Sequence, residues 1–340
     1  MKKNFRNRLL AVTAAASMSI MLLSGFDSSL TVEDVTRKTT EAMSAAGGLN
    51  CDVQGIADVS VDVSAGGETQ SMAINGSLNY SVQFTVDPFV MAVSGEMTGE
   101  AAAMGVSEGM KIEVYLAARE DGSGVMYVRM PDEEESGWHA AAVTAEDMTM
   151  LRDSVKASLS GNPAEAADLL GMDLEGLKEQ LSTNMTLAPE AVNVNGIDCY
   201  ELTQSVDGTT LFNAVSTVMN AMPDAGIDQA TLSAIQMLLG GIRMDVVSDC
   251  AVDTFEPVYA SLDLGGSDFS MLGQMYGAMA VSSNDGSQGP EISVNVNALN
   301  LSMNYGEVPA AIEIPSEALE AEIETTVPLT GIPAETEVQE

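Results

Sequence analysis

Residues 51–64 read CDVQGIADVSVDVS, in which Cys51, Val53, Ala57, Val59, Val61 and Val63 alternate with Asp52, Gln54, Asp58, Ser60, Asp62 and Ser64. Successive side chains of an extended chain point to opposite faces, so a period of two predicts a strand with one face buried and one in water. Upstream, Leu30 to Ala46 sets Val32, Val35 and Met43 among polar positions and predicts a short helix stopped by Gly47 and Gly48. Downstream, Gly66-Gly67 reads as a turn. Further strands follow at Ser71–Val86, Val90–Glu100, Met110–Ala118 and Gly124–Met130, with turns at Asp87-Pro88 and Asp121–Gly124. Connections this short return each strand beside its predecessor, which gives an antiparallel meander. The acidic run Asp132–Glu135 reads as a solvated hairpin tip before Trp138.

A helical block comes next. Thr144, with Asp147 three residues on, resembles a capping box, and Met148, Leu151, Val155 and Leu159 then share one face. Leu174, Leu177, Leu181 and Met185 repeat the spacing. Amphipathic helices must cover an apolar surface, and the sheet face is the one available. Strands resume at Val192–Val194 and Asp198–Val206 around an Asn195-Gly196 turn, and Asp207-Gly208 is expected to close another hairpin. Two helices follow, Leu211–Met222 with Leu211, Val215, Val218, Met219 and Met222 on one stripe, and Gln229–Leu239. Arg243–Val252, Val258–Leu264 and Ile292–Asn304 read as strands, and Ser267–Met279, carrying Met271, Leu272, Met275, Tyr276 and Met279, as a helix. The chain is expected to form one α+β domain over residues 30–323, followed by a disordered acidic tail at 325–340.

Composition excludes several function classes. The 340 residues hold 50 Asp and Glu against 13 Lys and Arg, a net charge of -37. Such a surface repels phosphate backbones, so no nucleic-acid partner is expected. With one histidine and three cysteines, zinc clusters and multi-histidine active sites are out of reach. His139 lacks a local carboxylate and nucleophile, which leaves no catalytic residues and no enzyme to expect. No Asp-x-Asp-x-Asp-Gly loop and no phosphate-binding glycine loop occurs, so neither metal nor cofactor is expected. Cys199 and Cys250 form the natural disulfide pair if their strands adjoin, with Cys51 a buried thiol. Three unpaired cysteines are the equal alternative.

The first eight residues carry four bases, Leu9–Leu23 is apolar, and no acid occurs before Asp27. That is the layout of a secretory signal, so residues 1–25 are expected to act as a signal peptide or N-terminal anchor, with export to the cell envelope or beyond. Leu23-Ser24-Gly25 resembles the lipobox of bacterial lipoproteins, but Phe26 stands where the lipidated cysteine would be. Association with a membrane would therefore run through residues 1–25 alone.

The run Val192-Asn193-Val194-Asn195-Gly196-Ile197-Asp198-Cys199-Tyr200-Glu201-Leu202, then Val206-Asp207-Gly208, resembles cell-envelope lipoproteins of the outer-membrane lipoprotein-carrier (LolA/LppX-like) superfamily. So do Gly137-Trp138 after the Met126-Tyr127 strand and the ending Asn304-Tyr305-Gly306-Glu307-Val308-Pro309 with Ile312-Glu313-Ile314-Pro315-Ser316-Glu317-Ala318. The resemblance implies a strongly curved antiparallel sheet, a half-barrel, with helices packed on its concave face around an apolar cavity. It also implies a hydrophobic small molecule or lipid as the partner. On that fold the stripes Met148/Leu151, Leu211/Val215/Met219/Met222 and Met271/Met275/Met279 become cavity-lining candidates. The competing reading makes them plain core packing, since apolar residues at helical spacing usually pack. Two functions follow: a noncatalytic exported protein holding a hydrophobic ligand, or a cell-surface scaffold with a filled interior.

Overall fold

The alternating stretch forms the middle of β1 (Gly48–Ala65), which pairs antiparallel with β2 (Glu68–Val86) on one side and with β12 (Glu291–Tyr305) on the other. The computed structural model describes residues 30–65, 68–101, 106–130, 137–159, 185–221, 229–271, 273–274 and 291–326. The expected turn at Gly66-Gly67, the acidic run Asp132–Glu135, Leu174, Leu177 and Leu181 of the expected second helix and the tail beyond Thr326 lie outside them, whereas Met185, read on the same helical stripe, begins a strand.

The meander continues through β3 (Phe89–Ala101), β4 (Val106–Ala118), β5 (Gly124–Arg129) and β6 (His139–Val143). The other arm is built from β7 (Met185–Leu187), β8 (Val192–Val194), β9 (Ile197–Asp207), β10 (Arg243–Ala251) and β11 (Pro257–Asp263). With β13 (Ile323–Thr326), these form a single sheet in the order β13-β6-β5-β4-β3-β2-β1-β12-β11-β10-β9-β7, with β8 also pairing β9. Every described pairing is antiparallel except that of β13 with β6. The described order does not close on itself.

Helices among the described residues include α1 (Val32–Ala46), α2 (Ala145–Leu159), α3 (Gly208–Ala221), α4 (Gln229–Leu239) and α5 (Ser316–Leu319). Gly47 ends α1 in the left-handed conformation at φ 64°, which a residue without Cβ adopts freely. Thr144 starts α2: its Oγ1 accepts from the Asp147 N–H at 3.1 Å and donates to the Asp147 carboxylate at 2.8 Å.

Asp207-Gly208 closes no hairpin. The Asp207 carboxylate accepts from the Thr210 N–H at 2.8 Å, so the pair starts α3 directly, because Asp serves a helix N-terminus as readily as a turn. By contrast, Asn195 and Gly196 have φ of 53° and 88° and make the tight turn between β8 and β9 that their sequence predicted.

Register assembles the core. Leu49, Phe84, Met91, Leu116 and Met126 stand in one cross-strand row, and Cys51, Val82, Val93, Val114 and Val128 in the next. Met148, Val155 and Leu159 of α2 join that cluster, and Met43 of α1 packs against it. On the opposite face, Tyr115, Tyr127 and Trp138 take up Ile314, Ala318 and Ala321 from the chain around α5. Arg129 there pairs with Glu113 at 2.6 Å and lies over the Trp138 ring at 4.9 Å.

The three cysteines are unpaired. β9 and β10 do adjoin, but Cys199 faces Ala251 while Cys250 faces Tyr200. That one-residue offset sends the two side chains to opposite faces of the sheet, so the expected Cys199–Cys250 disulfide cannot form.

Candidate functional site

Beyond the packed rows, the face of the sheet that carries the core continues as Gly55, Leu78 and Met97 across β1, β2 and β3, with Leu301 and Leu262 on the other side of Gly55. The next row is Ala57, Gly76 and Gly99, with Leu299 on β12. Small residues in the middle and leucines at the flanks leave a trough. It forms an open groove of about 290 Å³ whose wall exposes almost only apolar atoms.

The glycines shape this groove in two ways. Leu78 and Leu301 lean over Gly55 so closely that a Cβ there would meet them at 2.7 and 3.3 Å. At Gly76 a Cβ would meet only the Thr98 carbonyl at 3.5 Å and the Ala57 methyl at 3.7 Å, and at Gly99 nothing within 4 Å. Gly76 and Gly99 therefore hold space open that a side chain could fill. Leu78, Leu262 and Leu301 also pack against the main core, so the groove is the unfilled continuation of that core. Met97, at 39% exposure, marks its open rim.

Two more cavities lie beneath α1. The smaller, about 70 Å³, has Thr36, Thr39, Thr40 and Met43 on its helical side and Gln204, Ser248 and Cys250 on its sheet side. The larger cleft, about 590 Å³, runs past Leu49, Ile197, Val258 and Val308. Met43, Pro257 and Tyr305 line both. The helix is held over this region by Val35, which packs with Leu202 and Cys250, and by Lys38, whose Nζ sits 4.4 Å from the Phe255 ring stacked on Tyr200. Burial pushes the Cys250 thiol up to about 11, which keeps it protonated.

Of the nine residues read from sequence as cavity-lining, Met148 is buried in the core beside Gly124 and Leu151 packs against the same cluster. Leu211 and Met271 are half-buried. The side chains of Val215 and Met219, and the residues Met222, Met275 and Met279, lie outside the described residues. Met148, Leu151, Leu211 and Met271 line neither the groove nor the two cavities beneath α1. The groove residues themselves escaped sequence reasoning, because their signal is the placing of Gly55 and of Ala57 with Gly76 in adjacent rows, which exists only once β1 and β2 are in register.

His139 is half-buried on β6 opposite Val128. Among the described residues no three His, Cys, Asp or Glu side chains gather as metal ligands, and no helix is long and apolar enough to cross a membrane.

No protein-family model matches the chain, and no curated protein matches it. Among solved structures it is similar to LprF from Mycobacterium bovis, at 10% identity over 84% of this chain and 97% of that one, with a TM-score of 0.32. The lipoprotein LppX from Mycobacterium tuberculosis gives 11% identity over 83% and 97%, with a TM-score of 0.33. A DUF1329 family protein from Desulfovibrio piger gives 10% identity over 82% and 93%, with a TM-score of 0.19. Likenesses this loose say nothing of function.

Proposed function

We propose that the protein is a noncatalytic, exported envelope protein that holds a hydrophobic, lipid-like molecule against the face of its sheet. In this reading residues 1–25 direct export or anchor the chain, residues 30–323 form one half-barrel domain with helices on the concave side, and 325–340 are an acidic tail.

The observation that carries the proposal is the groove at Gly55, Gly76, Leu78, Met97, Leu299 and Leu301. Protein interiors are close-packed, and an apolar face that continues the core is normally filled or covered. At about 290 Å³ the groove lies just below the roughly 300–1,000 Å³ range of ligand pockets, and it suits an apolar chain or ring that projects past the Met97 rim. Each 100 Å² of apolar surface withdrawn from water contributes about 2.5 kcal/mol, so sequestration alone supplies affinity without any reaction.

The test uses a neutral apolar fluorophore, N-phenyl-1-naphthylamine, titrated into the protein and into Gly76→Leu. The new leucine meets no obstacle at its Cβ and occupies the groove, so probe affinity should fall at least tenfold while the urea unfolding midpoint is kept. A wild-type protein that binds no probe, or a variant that binds it equally well, would remove the ligand-holding reading and leave the scaffold.

A further inference from the structure

The face that α1 turns to the sheet has an unusual composition. Positions i, i+3, i+4 and i+7 of one helical face are Thr36, Thr39, Thr40 and Met43, and all four line the smaller cavity. A helix face laid on a sheet is ordinarily apolar, and threonine is a weaker helix former than alanine or leucine, so neither packing nor propensity explains three threonines here. Thr36 is only 7% exposed, and its Oγ1 has no hydrogen-bond partner among the described residues. A buried hydroxyl left unmet is destabilising and is rare in folded proteins.

The far wall answers with polar groups of the same kind. Gln204 and Ser248 face the threonines across the cavity, and no charged side chain lines it. Cys250 adds no charge, because burial holds its thiol protonated. A carboxylate, phosphate or ammonium entering this space would lose its hydration and find no counter-charge. A neutral hydroxyl or amide would find the Thr36 hydroxyl, which can both donate and accept. Its room, about 70 Å³, is that of about two waters at roughly 30 Å³ each. The attached apolar body then lies along Met43, Pro257 and Tyr305 and on toward Val258 and Val308 of the larger cleft, whose other walls carry Asn50, Glu256 and Glu307.

We infer that the cleft beneath α1 is a second binding site, separate from the groove, for a neutral amphiphile. Its hydroxyl or amide head meets Thr36 and Ser248, and its short apolar tail lies along Met43, Pro257 and Tyr305. The net charge of -37 adds a general bias against anionic relatives of such a ligand.

Calorimetric titration of the full chain with 1-octanol, octanoate and octylammonium tests this. Octanol should bind, octanoate at least tenfold more weakly, and octylammonium, which Glu256 and Glu307 can hold in the larger cleft, without dependence on Thr36. Thr36→Val removes the hydroxyl at equal volume and should weaken octanol about fivefold, the order of one neutral hydrogen bond. Thr36→Ser should restore it, and Ser248→Ala should weaken it comparably. Gly76→Leu fills the groove, and in that background octanol should still bind and still depend on Thr36. If Thr36→Val binds octanol as the wild type does, the cavity holds only ordered water and the inference is wrong. Loss of octanol binding in Gly76→Leu would place the alcohol in the groove and equally overturn the second site. A wild type that takes N-phenyl-1-naphthylamine but not octanol would overturn this inference alone and leave the proposed function standing.

Discussion

Asp249→Asn should stabilise the protein above pH 6 and leave it unchanged below pH 4. Asp249 sits on β10 at 2% exposure, its Oδ1 has no partner among the described residues, and it faces Glu201 across the strand pair. Burial first, and the charge of Glu201 second, push its carboxyl up to about 6 from an ordinary 3.8. A folded-state value above the unfolded one means that the folded chain holds the proton more tightly. The contribution of Asp249 to stability is therefore most favourable below about pH 4, declines as the pH rises to about 6, and is flat above that. Two units of difference correspond to about 3 kcal/mol, a large share of the roughly 5–15 kcal/mol that keeps a typical domain folded. Asparagine keeps the shape and cannot ionise. Urea unfolding of both chains from pH 3.5 to 8 isolates the effect, because every other titrating group is common to both. The midpoints should coincide at the acid end and separate by about 3 kcal/mol at pH 8, with the variant the more stable. Curves that run parallel, or a variant less stable at pH 8, would show that the Asp249 carboxylate has stabilising partners and that the burial argument is mistaken.

Three further outcomes follow from the core and the sheet. Met148→Ala should lower unfolding free energy by about 2–5 kcal/mol in urea, since a buried side chain packed beside Gly124 leaves a void when it is cut back. Gly95→Ala should cost about 1–3 kcal/mol, because its Cβ would enter the Asn79 carbonyl and the Tyr80 backbone, whereas Gly99→Ala meets nothing and should be neutral or slightly stabilising in the same assay. Cys51, Cys199 and Cys250 should be silent to Ellman's reagent in the native protein and all react in denaturant, because they are buried and desolvation pushes Cys51 up to about 12 and Cys250 up to about 11.

Much of the fold is legible in local pattern. The alternation at 51–64, the Asn195-Gly196 turn and the Thr144 cap each state their structure within a few residues, because side-chain period, φ preference and a hydroxyl acceptor are local properties. The three-residue β7 and the edge strand β13 are too short to show a period, and pairing alone defines them. Asp207-Gly208 misleads because one carboxylate can serve a turn or a helix start, and α3 decides which. Cys199 and Cys250 show the larger difficulty: that their strands adjoin can be guessed, but a one-residue offset in register decides which faces they occupy. The groove is hidden for the same reason. Gly55 and Gly76 are ordinary glycines in two strands until register sets them in adjacent rows.

The central claim is that an apolar molecule occupies that groove. Native mass spectrometry of the protein, purified without detergent, asks it directly. The account predicts a mass above that of the polypeptide by one apolar molecule, which organic extraction removes and which Gly76→Leu made in the same cells does not carry. Wild-type protein at the bare polypeptide mass, with nothing recovered by extraction and no uptake of the neutral fluorophore, would contradict it.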